Sequence, residues 1–460
     1  MKKFLLLTST LLFLTSCLTL FPQPQASPTP PASPTQSQTI ETDLSIFNDG
    51  LNPIYHPVID TLSSASLYQL DFVIADDLYH ITGKETVNYT NNEDVPLNEV
   101  HFRLFPNILG GEMTVENILV NGVSVQEKYK LNDSLLIVPL EKPLQVHESV
   151  KISMDFAMTI ATSVDLNYGV QAYDSNVLAL AHAYPMIAVY NHEGWNSEIP
   201  PQSGDVIFAD MSFFVVTVDA PSDLVLVGSG RETKHEENGN RQQVRYEAGL
   251  VRDFYLTGSP NYQEFVREVD GVTLRFYTDG DYKAGVEEAL NFAEESIKIF
   301  NGRYAPYPYT ELDFVSTPTL ALGIEYPGMI AITEWIMDPQ IGYLEATVVH
   351  EVAHQWFYNL VGNDQLDEPW LDESMAQFAT LQYFTDRYSE DGYFEFLSEL
   401  EGRWFYIGEE KIPVGLPVRD YSDAEYSGIV YGRGGLFFIA LEEKIGSENF
   451  DTFMKKLCNE

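Results

Sequence analysis

The stretch His350-Glu351-Val352-Ala353-His354, followed after eighteen intervening residues by Glu373 within Trp370-Leu371-Asp372-Glu373-Ser374, decides the reading of this chain. Apolar spacing predicts a helix over 342–360, and residues four apart lie about 40° apart around a helix and about 6 Å along it. Both imidazoles can then face one ion, with Glu351 standing beside it. Val348, Val349, Val352, Ala353, Trp356 and Phe357 make the segment a mostly buried helix. Two imidazoles and a carboxylate buried there are costly unless an ion satisfies them. The donor types suit Zn²⁺, one per chain, and a zinc hydrolase needs a third protein ligand and one position for water. A third His six residues on is absent, because Phe357 and Leu360 stand where such a motif would continue. Glu373 opens a second predicted helix, and Gly362-Asn363-Asp364 lets the chain turn back towards the first. Taken alone, Glu373 is an ordinary carboxylate at a helix N-terminus; beside the two His, ligation is the favoured reading.

Around this core, composition sets limits. A chain of 460 residues suggests two to four folding units, and 45% hydrophobic content can fill large cores. The net charge of −42 repels phosphate backbones, so no nucleic-acid partner is expected. The same charge serves solubility or draws cations and ammonium groups towards the surface, and composition leaves both readings open. Cys17 and Cys458 sit at opposite ends of the chain and offer no disulfide framework.

Lys2 and Lys3 followed by an apolar run to Leu14 have the layout of an export signal, expected over 1–16. Leu14-Thr15-Ser16-Cys17 resembles the bacterial lipobox, which implies cleavage before Cys17 and a lipid on its thiol. Residues 22–39 contain only Pro, Gln, Ala, Ser and Thr, so 17–40 is expected to be a solvated tether. Anchor, tether and folded body together predict a lipoprotein on the extracytoplasmic face of a bacterial cell envelope, touching the membrane through its lipid only. A β-rich region follows over 41–270, with a hairpin turn at Asn121-Gly122 and alternating runs that read as an antiparallel sandwich. After Asp281 the period changes: Val286, Leu290, Ala293, Ile297 and Phe300 share one helix face. A strand is expected at 312–316, and further helices at 372–387 and 434–457.

The His/Glu/His run with Glu373 resembles the gluzincin family of alanyl-type zinc aminopeptidases, relatives of leukotriene hydrolase. Leu322-Gly323-Ile324-Glu325-Tyr326 is similar to that family's Gly-x-Met-Glu-Asn strand, and Val430-Tyr431-Gly432-Arg433-Gly434 to its Tyr-x-Lys/Arg-Gly motif. The resemblance implies an antiparallel β-sandwich followed by a mostly α, thermolysin-like zinc peptidase domain with a small sheet, at 271–460. It implies hydrolysis of the first peptide bond of peptides with a free N-terminus, by attack of a zinc-bound water. His350, His354 and Glu373 would hold zinc, and Glu351 would be the general acid and base. Tyr431 would donate to the oxyanion, Glu325 would pair with the substrate ammonium, and the Gly323 backbone would hydrogen-bond the peptide.

Three departures stand out. Leu322, Ile324 and Tyr326 replace the family's first Gly, Met and Asn. No counterpart is visible in the β-rich region to the Gln/Glu pair that shares the ammonium in typical members. The chain runs only 29 residues past Tyr431, as a short variant or as one lacking its last helices. Asp364, Asp367 and Asp372 are candidate partners for the far nitrogens of the ligand imidazoles; His182 and His192 read as ordinary polar or packed residues. The rival reading is a peptide-binding or scaffold lipoprotein with a non-catalytic zinc.

Overall fold

A computed structural model describes residues 43–201, 204 and 206–459. The expected export signal, Cys17 and the tether over 17–40 lie outside the described residues. Strand His80–Thr90 pairs along its whole length with Ser149–Thr159, and these two lie in an eight-stranded sheet. Val150, Ile152, Met154, Phe156 and Met158 are buried, while the residues between them are half-buried or exposed. This period of two is what a sheet with one face on a core produces. Asn121 and Gly122 both have positive φ, 50° and 81°, as a two-residue hairpin turn requires.

The sheet is not purely antiparallel, which corrects the expectation. Ser66–Ile74 pairs in parallel with Ser212–Pro221, from Ser66 opposite Ser212 to Val73 opposite Asp219. Parallel neighbours need a long connection, and the chain between them supplies one that carries all the strands of one four-stranded sheet and two strands of another. One hydrophobic core runs from these sheets into the helices, with Phe102, Phe213, Phe276, Phe300 and Trp356 all buried in it.

The second half begins with a five-stranded sheet, ordered Gln263–Val269, Val272–Thr278, Glu311–Thr317, Met329–Thr333, Gly323–Ile324. Helix Lys283–Arg303 makes the crossover between two parallel strands and buries the predicted face of Val286, Leu290, Ala293, Ile297 and Phe300. Gly323–Ile324 is the sheet's edge, antiparallel to Met329–Thr333.

The helix carrying the two His is shorter than its apolar pattern suggests. It spans Leu344–Ala353, and His354 is its C-cap, still with helical backbone angles. Beyond it the backbone continues in turns, with the Gln355 N–H on Val352 O and the Trp356 N–H on Ala353 O, while Gln355 Nε2 donates to Tyr326 O and Trp356 Nε1 to Ala305 O. The next helix, Glu373–Tyr406, is longer than expected and is broken at Ser389, where φ is 60°. The expected segment 434–457 is two helices, Gly434–Ile445 and Ser447–Asn459, parted by Gly446 at φ 85°. Immediately before them, Tyr426–Arg433 forms a π-helix.

Candidate active site

His350 lies in the last turn of its helix and His354 caps it, so both rings leave the same face. Glu373 is the first residue of the next helix, whose free N–H is taken by Asp372 Oδ1 at 2.8 Å. His350 Nε2 and His354 Nε2 are 3.1 Å apart. Glu373 Oε2 lies 3.1 Å from the first and 3.5 Å from the second.

His354 Nδ1 stands 2.9 Å from the Phe357 carbonyl, an acceptor, so Nδ1 carries a proton and, in the neutral ring that a metal ligand needs, Nε2 offers a lone pair. A lone pair, a second imidazole nitrogen and a carboxylate oxygen thus converge on one point, an arrangement that is repulsive unless a cation or proton sits between them. Three corners of a tetrahedron around zinc, with bonds of about 2.0–2.1 Å, stand about 3.3 Å apart. The observed triangle fits that ion, and the N,N,O donor set suits it. Of the three Asp expected to support the ligand rings, none does: the far nitrogen of His354 uses a carbonyl, and that of His350 has no hydrogen-bond partner among the described residues. Asp372 instead caps the Glu373 helix, Asp364 closes the turn at Leu366 and Asp367, and Asp367 pairs with Arg419.

Glu351 is buried beside the triangle, and its Oε2 has no partner among the described residues. Burial, reinforced by the neighbouring Glu325 carboxylate, pushes its acidity well above the usual carboxylate range. Glu325 is raised as well, chiefly by burial, with His354 opposing. Burial acts on Glu373 in the same sense but is outweighed by hydrogen bonds to His350 and His354, which hold it low. Burial thus raises Glu351 and Glu325, while the two imidazoles keep Glu373 in the charged form that a ligand needs.

Gly323 lies against Glu351, and Glu325 just beyond the edge strand accepts from Gln365 Nε2 at 3.1 Å. The Tyr431 hydroxyl donates to Glu373 Oε1 at 2.5 Å, and its ring stacks on His350 at 5.7 Å. Every site residue of the folded body singled out in the sequence therefore meets in one place. All of them line a cavity of about 700 Å³.

Two residues of that cavity escaped sequence reasoning. Gln365 holds Glu325 from 40 residues away, and no local pattern announces such a pair. His182, read as a packed residue, is buried but also lines the cavity, with Nδ1 2.6 Å from Asp253 Oδ2. Asp253 in turn accepts from Tyr184 OH and the Phe254 N–H. His192 is exposed.

Residues 288–460 match the model of the Peptidase family M1 domain. Aminopeptidase M1-B of Oryza sativa subsp. japonica is 28% identical over 265 residues, covering 53% of this chain and 30% of its own. Aminopeptidase N of Canis lupus familiaris is 24% identical over 347 residues, covering 69% of this chain and 34% of its own. The chain thus spans about a third of the length of the curated relatives it matches. A crystal structure of the M1 zinc metallopeptidase from Deinococcus radiodurans shares the fold, with a TM-score of 0.67 at 19% identity over 86% of this chain and 85% of that one. The site residues, the matched domain and the shared fold agree: residues 288–460 match the peptidase family M1 domain, and the chain is similar to M1 aminopeptidases.

Proposed function

We propose that the chain is a zinc-dependent aminopeptidase that hydrolyses the N-terminal peptide bond of peptides with a free amine. The carrying observation is that the His350, His354 and Glu373 triangle, Glu351 and Glu325 share one cavity. Zinc, when bound, would supply Lewis acidity, bringing a water's pKa towards neutrality and polarising the scissile carbonyl. Glu351, raised by burial and holding an oxygen without a partner among the described residues, takes the proton from the attacking water and passes it to the leaving amine. Tyr431 turns its hydroxyl from Glu373 to the oxyanion. Glu325 receives the substrate ammonium while Gln365 keeps its carboxylate in place. The backbone of the edge strand Gly323–Ile324 pairs with the extended peptide. Water adds across one C–N bond, releasing the first amino acid and a peptide one residue shorter. The features of Lys2 to Cys17 support placing the body outside the cytoplasm, lipid-anchored through Cys17.

Glu351→Gln tests the reading. It should keep one zinc per chain by metal analysis and lose hydrolysis of free-amine chromogenic amides. Turnover at the parent rate would remove the general-base role; failure of the parent protein to bind zinc or cleave any amide would remove the function.

A further inference from the structure

We propose that Ser374 is a positioning residue for Tyr431, holding the backbone that aims the phenol; the proposal rests on the aminopeptidase reading above. Ser374 follows the ligand Glu373 on the same helix and is completely buried. Its hydroxyl donates to the carbonyl of Val430 at 2.7 Å, the residue immediately before Tyr431. Consecutive residues of one helix thus hold Tyr431 twice, Glu373 at the hydroxyl and Ser374 at the main chain. The segment being held is the π-helix Tyr426–Arg433. Such turns are rare, are poorly supported by their own hydrogen bonding, and gather at functional sites.

Packing around this bond shows that the space is reserved for it. A Cβ added at Gly434 would stand 1.9 Å from Ser374 Oγ, so only a glycine there leaves room for the hydroxyl. A Cβ at Gly432 would stand 2.9 Å from the Leu400 carbonyl, so the π-helix also lies flush against the returning half of the same long helix. From that half, Arg403 lays its guanidinium 5.7 Å over the Tyr431 ring and donates from Nη1 to Ser427 Oγ at 3.1 Å. Arg403 thus lies over the tyrosine ring, His350 stacks on it, and the Ser374 bond holds the main chain that carries it. Loss of the Ser374 bond leaves the Val430 carbonyl without its side-chain donor and frees the turn that carries the phenol.

Because Ser374 acts through Tyr431, the two effects should not add. Ser374→Ala is expected to lower kcat about tenfold, within the range that small misplacements of a catalytic group produce, with KM and zinc content near parent values. In a Tyr431→Phe background the same substitution should change kcat less than about twofold, as coupled residues behave in double-mutant cycles. Ser374→Cys, a weaker donor of similar size, should recover part of the loss. Equal losses in both backgrounds, or loss of zinc with Ser374→Ala, would overturn the proposal. A second readout needs no turnover: amide hydrogen exchange across 426–433 should quicken in Ser374→Ala while 375–386 stays protected. If the parent protein cleaves no amide, the function fails and exchange alone decides the positioning role; unchanged exchange would then reject it.

Discussion

Gly323 and Glu351 are in contact so close that a methyl group on the glycine would stand 2.5 Å from Glu351 Oε1 and 2.6 Å from its Cδ. The edge strand that would pair with a peptide backbone and the carboxylate that would move the proton are therefore built as one unit. Gly323→Ala must push Glu351 aside, because the methyl would meet the carboxylate end of that side chain, the part able to give way. We expect kcat to fall by about 10²-fold, the cost of misplacing a catalytic group by about 1 Å, with zinc retained. Parent-level kcat in this variant would show that Glu351 need not sit where it does.

Tyr431 has two possible duties, holding Glu373 in the resting site and donating to the oxyanion in the reaction. Tyr431→Phe separates them. An oxyanion donor should cost about 10²–10³-fold in kcat with little change in KM, and zinc affinity should hold. A large loss of zinc affinity with modest loss of kcat at saturating metal would mean that the phenol serves the ligand and not the reaction.

What could be read in the sequence was local. The His350/His354 spacing, the Glu373 helix start and the alternation of Val150 to Met158 each depend on neighbours a few residues apart, where helix and strand periodicity act directly. Features that depend on distant partners were not legible. The parallel pairing of Ser66–Ile74 with Ser212–Pro221 is set by strands far apart in the chain. The ligand helix ends early, and beyond it Gln355 and Trp356 bond to Tyr326 and Ala305. Gln365 behind Glu325, and Asp253 behind His182, are likewise pairs that only folding creates. The π-helix around Tyr431 falls just before the helix expected at 434, and its contacts with Ser374 and Leu400 are made across the fold.

Zinc removal should soften the whole site, because the three converging donors repel one another without a cation. Chelator-treated protein should melt at a lower temperature, and the melting point should rise with added zinc. A ligand at 1,000 times its Kd stabilises by about 4 kcal/mol. A melting temperature indifferent to zinc across that range would mean that the triangle does not hold the ion.

Glu325 carries the exopeptidase claim. Glu325→Gln keeps the size and a partner for Gln365 but removes the charge, so kcat/KM for free-amine substrates should fall about 10–10²-fold, as for one charged hydrogen bond of about 1.5–3 kcal/mol. N-acetylation of a test peptide should abolish cleavage by the parent protein. Undiminished cleavage of the acetylated peptide would reassign the activity to internal bonds.

Glu85 does not line the cavity of the site, and it should make stability depend on pH. It is buried in the eight-stranded sheet with both carboxylate oxygens unpartnered among the described residues, and burial raises its pKa well above the usual carboxylate value. In the window from the unfolded carboxylate pKa, about 4.3, up to the raised folded value, the folded state binds the proton and the unfolded state does not. Stability from this group therefore falls as pH rises through that window, and is greatest below it. Glu85→Gln removes the titration while keeping the shape. The variant should match the parent near pH 4 and exceed it near pH 8 by about 1–3 kcal/mol, the penalty for a buried unsatisfied polar group. Urea unfolding at the two pH values measures this, and an equal difference at both would mean that Glu85 does not change its protonation on unfolding.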